Sequence, residues 1–165
     1  MLTPKHTKEL NLKMAETMSK IRKSPAQLFA LVFGVVYALT GIAGFVTFGL
    51  GQSILLPKET FIIFGVNPLH NGLHLAVGIV WILVSGSFAW SKRTNITFGI
   101  VFFGLVAAGV LNLLGFLGIS GPSDPDNVLH FATAILALYF GTIGAVSKAH
   151  ASKQNGQKTP ANSAR

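Results

Sequence analysis

Four long apolar runs divide this chain, and no Asp, Glu, Lys or Arg occurs in any of them. They span residues 27–50, 70–90, 95–118 and 127–146. A hydrocarbon core about 30 Å thick is crossed by about 20 apolar residues in a helix, so each run is long enough to span a bilayer. Because the runs are continuously apolar rather than alternating, they favour helices over the strands of a barrel. We therefore predict an all-α integral membrane protein folded as a four-helix bundle.

Composition limits the classes of function that are possible and indicates how the chain is divided into segments. Half of the residues are apolar and 11% are charged, which is typical of a membrane protein. The absence of cysteine excludes disulfides, thiolate metal sites and a cysteine nucleophile. No phosphate-binding loop or nucleophile motif occurs, and we predict that the protein is not an enzyme. We expect a basic N-terminal segment at 1–25, a transmembrane domain at 26–148 and a disordered basic tail at 149–165.

Basic residues indicate how the predicted helices are oriented. If the helices alternate in direction, three basic segments fall on one side, whereas the other side carries Lys58 with Glu59 and then Asp124 with Asp126. The positive-inside rule then predicts that both termini lie in the cytoplasm. The net charge of +8 is thus a topology signal, and the expected partner is the lipid bilayer rather than nucleic acid. The basic residues on the cytoplasmic side are Lys5, Lys8, Lys13, Lys20, Arg22, Lys23, Lys92, Arg93, Lys148, Lys153, Lys158 and Arg165.

The N-terminal segment has an amphipathic pattern of its own. Its apolar residues Leu10, Met14, Met18 and Ile21 recur at helical spacing, with Lys and Glu between them. Such a pattern suits a short helix lying on the anionic inner leaflet. A frayed basic tail is the alternative for this segment.

The tetrapeptide Asn-x-Leu-His occurs twice, at 71–74 and at 127–130, near the start of the second and fourth runs. The first and third runs also match, with Phe33-Gly34 aligned on Phe103-Gly104, if one residue is inserted. These similarities predict an internal repeat of two tandem helical hairpins. Because each half contains two helices, the halves keep the same topology and should be related by a pseudo-twofold axis along the membrane normal.

Polar residues of the predicted spans concentrate in one outer layer. Asn67-Pro68 and Asp124-Pro125 each offer an Asx N-cap followed by proline at the first helical position. At about 1.5 Å per residue, His74 and His130 lie roughly 10 and 8 Å below these helix starts, at equivalent depths. Small residues on the same faces indicate that both histidines point into the bundle. The other members of this layer are Asn71, Asn127, Asn112 and Thr40.

The opposite helix faces are predicted to contact lipid. These faces carry the residues that lie away from the histidines and the small side chains on each helix. The expected lipid-facing residues are Leu75, Trp81, Ile82, Leu129, Leu136 and Phe140.

Several functions are compatible with a buried histidine layer. The paired His/Asn motifs can hold the bundle together through interhelical hydrogen bonds, which is the leading interpretation. Alternatively His70, His74, His130 and Asp126 bind a metal, or His74 and His130 are axial ligands of a haem or other tetrapyrrole, so the cofactor stays unassigned. A further class is a proton- or solute-conducting homo-oligomer, or an accessory subunit of a larger membrane complex.

The two histidine motifs also resemble those of a known family. The sequences NPLHNGLHL at 67–75 and DNVLHF at 126–131 are similar to the paired motifs of the bacterial membrane family called domain of unknown function 4383. The resemblance extends roughly over 27–147 and implies a four-helix inner-membrane protein. It implies no activity.

Overall fold

The fold is described from a computed structural model over residues 3–21, 23–49 and 59–145. It is an all-α structure with one small hairpin of two strands and a 3-10 turn at Gly115–Leu117 within the described residues. The order is α1 at Pro4–Ile21, α2 at Pro25–Phe48, β1 at Glu59–Phe61, β2 at Phe64–Val66, α3 at Pro68–Val84, α4 at Phe88–Val110 and α5 at Pro125–Gly141. Strands β1 and β2 are antiparallel. The predicted disordered tail lies outside the described residues.

Local capping chemistry sets where the helices begin. Asn67 and Asp124 are the N-caps of α3 and α5, and each side chain accepts a backbone N–H from the first turn, as predicted. Ser24 caps α2 in a capping box with Gln27. These side chains satisfy donors that have no partner inside the helix, and the proline that follows each cap has no N–H to satisfy.

The end of α4 differs from the predicted run. The run 95–118 predicted a helix of that extent, but α4 begins at Phe88 and ends at Val110. Asn112, two residues later, has φ 60°, a left-handed conformation that ends a helix and that asparagine adopts more readily than most residues. The chain then passes through the 3-10 turn to α5. The apolar run therefore extends beyond the residue at which the helix ends.

Two helices of the described residues are long and apolar enough to cross a membrane by length and composition, Pro25–Thr47 and Phe88–Val110. Pro68–Val84 is a shorter apolar helix. Helix α2 packs along α3 and α4 packs along α5, while α2 also contacts α4 and α5, and α3 contacts α4. The fold therefore consists of two closely packed helix pairs that meet each other.

Trp81 lies at the centre of the core and corrects one lipid-facing prediction. Its side chain is 0% exposed, and its ring packs against the rings of Phe29, Tyr37 and Phe102. The indole Nε1–H donates to Asn95 Oδ1 at 3.0 Å. A buried indole needs such a partner, and Asn95 of α4 supplies it. Of the other predicted lipid-facing residues, Leu136 is exposed and the rest are partly exposed, namely Leu75, Ile82, Leu129 and Phe140.

Candidate metal centre

Three histidines meet in the interior near the start of α3 and α5. One ring nitrogen from each of His70, His74 and His130 lies within 4.8 Å of the other two. All three residues are buried, with at most 6% of the surface exposed. His70 and His74 are one helical turn apart on α3, and His130 reaches them from α5. The structure thus brings together the three histidines of the predicted metal site.

Asp126 is the fourth member of this cluster. Its Oδ1 lies 3.9 Å from His70 Nε2, and the residue is 1% exposed. Asp126 and His130 are one turn apart on α5, as His70 and His74 are on α3, so each helix contributes one pair. A buried carboxylate is costly unless a cation or a hydrogen-bond donor is near it.

The hydrogen bonds of His70 determine which nitrogen faces the cluster. His70 Nδ1 lies 3.2 Å from the carbonyl oxygen of Gly65. A carbonyl only accepts hydrogen bonds, so in the neutral tautomer that donates from Nδ1 to Gly65 the lone pair of Nε2 is available to a metal ion. Nε2 lies 3.1 Å from His74 Nε2 and 3.9 Å from Asp126 Oδ1. A backbone carbonyl that fixes the tautomer of a histidine is the usual outer partner of a metal ligand.

His130 has a ring nitrogen without a hydrogen bond. Its Nδ1 is buried and has no hydrogen-bond partner among the described residues. Buried polar side-chain atoms are nearly always hydrogen-bonded, so such an atom requires an explanation such as a bound ion. One face of the ring contacts Phe102, with centroids 5.2 Å apart.

Aromatic residues surround the cluster on its inner side. The Tyr37 ring lies 5.0 Å from the His74 ring, and the Tyr37 hydroxyl donates to Thr133 Oγ1 at 3.0 Å. Tyr37 also packs against Trp81, so the aromatic core of the fold begins directly beneath the histidines. This packing restricts the rotation of the histidine rings.

The two asparagines of the repeated motif lie beside glycines of the neighbouring helix. A Cβ atom at Gly44 would overlap the side-chain amide of Asn71, and one at Gly109 would overlap the side-chain amide of Asn127. Asn127 Nδ2 donates to the carbonyl of Gly121 at 2.7 Å. Both asparagines are buried, as expected for members of the polar layer.

Two other predicted members of the polar layer lie elsewhere. Thr40 Oγ1 donates to the Val36 carbonyl of its own helix at 2.9 Å. Asn112 is exposed, beyond the end of α4. Neither joins the histidines, because Thr40 satisfies its hydroxyl locally and Asn112 is not helical.

The backbone of Gly65 contacts the cluster, although the sequence did not predict this contact. Its contribution is a backbone carbonyl, which any residue type supplies, so no residue pattern could indicate it. Gly65 reaches His70 because β2 leads directly into α3 through Asn67. The hairpin of β1 and β2 therefore belongs to the surroundings of the site.

A family model described as Domain of unknown function (DUF4383) matches residues 27–143. The chain belongs to this family. The match extends from α2 to the end of α5 and includes all four members of the cluster, and it confirms the resemblance expected from the two histidine motifs. Neither the curated proteins nor the solved structures contain a significant match to the chain. The family description assigns no activity, so the function is argued from the site.

Proposed function

We propose that this protein is a four-helix inner-membrane protein that binds one divalent transition-metal ion, of the Zn²⁺ type, through His70, His74, His130 and Asp126. The observation that carries the proposal is the approach of three buried imidazole nitrogens to within 4.8 Å of one another. Neutral imidazoles with one carboxylate are a ligand set suited to zinc and similar ions.

The spacing of two donor atoms matches a tetrahedral site, and the three histidine nitrogens together lie within 4.8 Å of one another. Zn–N bonds of about 2.0–2.1 Å place two ligand atoms of a tetrahedron about 3.3 Å apart. His70 Nε2 and His74 Nε2 are 3.1 Å apart, close to that value. Asp126 Oδ1, at 3.9 Å from His70 Nε2, reaches the same value with a small side-chain rotation. An ion would also provide a partner for the buried Nδ1 of His130.

Outward-facing side chains support a membrane location for all four packed helices. Long aliphatic residues are exposed on each of α2 to α5, which in water would form a large apolar surface. A bilayer would cover this surface, with the basic ends in the cytoplasm. Examples are Val46, Leu83, Ile100 and Ile135.

Equivalent contacts in the two helix pairs support a duplicated hairpin. Gly34 approaches Gly78 of α3, and Gly99 approaches Ala134 of α5, each at the position one turn beyond the motif histidine. Gly104 aligns with Gly34 by sequence, but no atom of the described residues outside its own helix would lie within 4 Å of a Cβ atom at this position. The contacts therefore favour Gly99 as the partner of Gly34 in the repeat, in place of Gly104.

This repeat pairs the proposed ligands. His74 and His130 are equivalent, and each has an aromatic ring of the neighbouring helix beside it, Tyr37 and Phe102. The residue immediately before the motif asparagine is His70 in one half and Asp126 in the other. Each half would thus supply two ligands to an ion at the pseudo-twofold axis.

A tetrapyrrole fits this arrangement less well than an ion does. Axial ligation by His74 and His130 needs a planar gap between the two rings. The His70 ring lies 4.6 Å from the His74 ring and 6.1 Å from the His130 ring, so it borders both. The gap would open only if His70 moved away from Gly65 and Asp126.

Two alternatives make no use of a ligand site. In one, the histidines only hold the helices together, and the 3.1 Å contact of His70 with His74 is a hydrogen bond. In the other, the protein conducts protons or solutes as an oligomer or serves a larger complex. Neither alternative requires a stoichiometric ion, so metal content distinguishes them from the proposal.

The proposal predicts one tightly bound ion per chain. Protein purified in detergent, stripped with a chelator and titrated with Zn²⁺ or Co²⁺ should bind one equivalent, and Co²⁺ should give the intense visible absorption of a tetrahedral site. Loss of an outer partner of a metal ligand costs about 10–100-fold in affinity, so His130→Ala should weaken binding by about 100-fold or more. The matched control is His6→Ala, because His6 is exposed on α1 and far from the cluster in sequence.

Two results would contradict the metal proposal. One is wild-type protein that binds no stoichiometric ion, and the other is His130→Ala protein that keeps the ion with unchanged affinity. Asp126→Asn is a second variant that tests the site if His130→Ala fails to fold, because it retains the shape of the side chain and removes the charge. If all variants merely unfold at lower temperature, the histidines act only in holding the helices together.

A further inference from the structure

Helix α1 has an exposed apolar stripe on one side and, on the other side, basic side chains with Leu12 between them. Leu10 and Met14 lie one helical turn apart on one side, and their surfaces are 49% and 57% exposed. Lys5 and Lys8 are exposed and lie on the opposite side at 3.6 residues per turn. Exposed apolar residues along one face of a basic helix are typical of helices that lie in a membrane surface.

The start of α2 is anchored beside the turn between α3 and α4. Lys23 Nζ donates to the carbonyl oxygen of Ser85 at 2.9 Å. The same end of the fold carries Trp90, which is exposed, with the Arg93 guanidinium 5.5 Å from its ring. Tryptophan, lysine and arginine are the residues that concentrate at a membrane–water interface. This end of α2 therefore lies at the level of lipid headgroups if α2 spans the membrane.

We propose that α1 lies in the plane of the membrane on the cytoplasmic surface and binds anionic lipid. Leu10 and Met14 enter the boundary of the acyl chains, and the positive charges on the polar side and borders of α1 are attracted to the phosphates of the headgroups. The inference rests on the proposed membrane-spanning arrangement and does not depend on the metal site. Only one residue separates the end of α1 from Lys23, so the C-terminal end of α1 is close to the start of α2 along the chain.

Charge complementarity identifies the occupant of this face. An apolar stripe alone would suit a protein partner as well as a lipid surface. The basic residues on the other side and borders of α1 favour a surface that carries many negative charges in a plane, which is the property of an anionic leaflet. Glu9 is the acidic residue among them in the first half of the helix.

Spin labels on single cysteines test this inference in the full chain, which has no native cysteine. Leu10→Cys is compared with Leu12→Cys, because Leu12 is 62% exposed but lies on the other side of α1. Both labelled proteins are reconstituted into vesicles of phosphatidylcholine with and without phosphatidylglycerol. With the anionic lipid, the ratio of oxygen collisions to collisions with a water-soluble nickel chelate should be several-fold higher at position 10 than at position 12.

Removing the charges should reduce this difference between positions 10 and 12. In Lys5→Gln/Lys8→Gln/Lys13→Gln protein, the label at position 10 should become several-fold more accessible to the nickel chelate, because each basic residue near the surface contributes to lipid binding. Equal collision ratios at positions 10 and 12 in anionic vesicles would overturn the inference. Vesicle flotation is measured on the same samples. A chain that fails to float with vesicles contradicts the membrane-spanning proposal itself, whereas a floating chain with equal ratios contradicts only the surface role of α1.

Discussion

Gly78→Ala is expected to destabilise the protein by about 3 kcal/mol or more, the upper part of the range for overpacking a close contact. A Cβ atom at Gly78 would meet the backbone of Ala38 and would lie 2.7 Å from the carbonyl oxygen of Gly34. These neighbours are backbone atoms, which cannot move away as a flexible side chain can. The substitution must therefore push α2 and α3 apart along their whole interface.

Gly104→Ala is the matched control for this variant. Gly104 is also a helical glycine in an apolar segment, but within residues 3–21, 23–49 and 59–145 no atom outside its own helix would lie within 4 Å of a Cβ atom there. Alanine has a better helix propensity than glycine by about 1 kcal/mol, so this variant should be neutral or slightly more stable. Thermal unfolding in detergent measures both. Equal stability of the two variants would show that α2 and α3 are not in the close contact described here.

Trp81→Ala is expected to cost about 3–5 kcal/mol, as removal of a large buried aromatic side chain does. The residue is 0% exposed and contacts aromatic rings on α2 and α4. Its loss also deprives Asn95 Oδ1 of the indole donor. Asn95 Nδ2 donates to the Ala26 carbonyl at 3.1 Å, so the change also weakens the connection of α4 to the start of α2.

Two further variants separate packing from hydrogen bonding at Trp81. Trp81→Phe keeps one six-membered ring and loses the donor, so it should cost less than Trp81→Ala but at least about 1–3 kcal/mol, the penalty for an unsatisfied buried acceptor. Trp90→Ala removes an exposed tryptophan and should change stability by no more than about 0.5 kcal/mol. Denaturation of each variant in detergent is compared with wild type. A cost at Trp90 equal to that at Trp81 would be incompatible with the buried position of Trp81.

The helix starts of α3 and α5 could be predicted because their causes are local. An Asx side chain followed by proline satisfies the first donors of a helix within three residues, whatever the rest of the chain does. The predictions at Asn67 and Asp124 are confirmed for that reason. The predicted end of α4 was wrong because the apolar run continues beyond Asn112. Hydrophobicity indicates that a residue is buried or contacts lipid, but it does not indicate that the residue is helical.

The position of Trp81 shows a second limit of sequence reasoning. In a bilayer both the protein interior and the lipid are apolar, so composition hardly distinguishes a core residue from a lipid-facing one. Spacing relative to small residues predicted lipid contact for Trp81. The actual neighbour is Asn95 on α4, whose amide accepts the indole hydrogen bond deep in the protein.

The apolar runs, the caps and the repeated Asn-x-Leu-His motif were sufficient to identify the helices and the family, because length, hydrophobicity and short-range hydrogen bonds are properties of adjacent residues. The spacing of His70 and His74 also fixed their common helix face. Only the tertiary structure brought His130 and Asp126 to within a few ångströms of them and set Gly65 against His70. Those distances depend on how the α2–α3 pair meets the α4–α5 pair. Glycines set the close approach within each pair, and Trp81 packs α3 against α2 and α4.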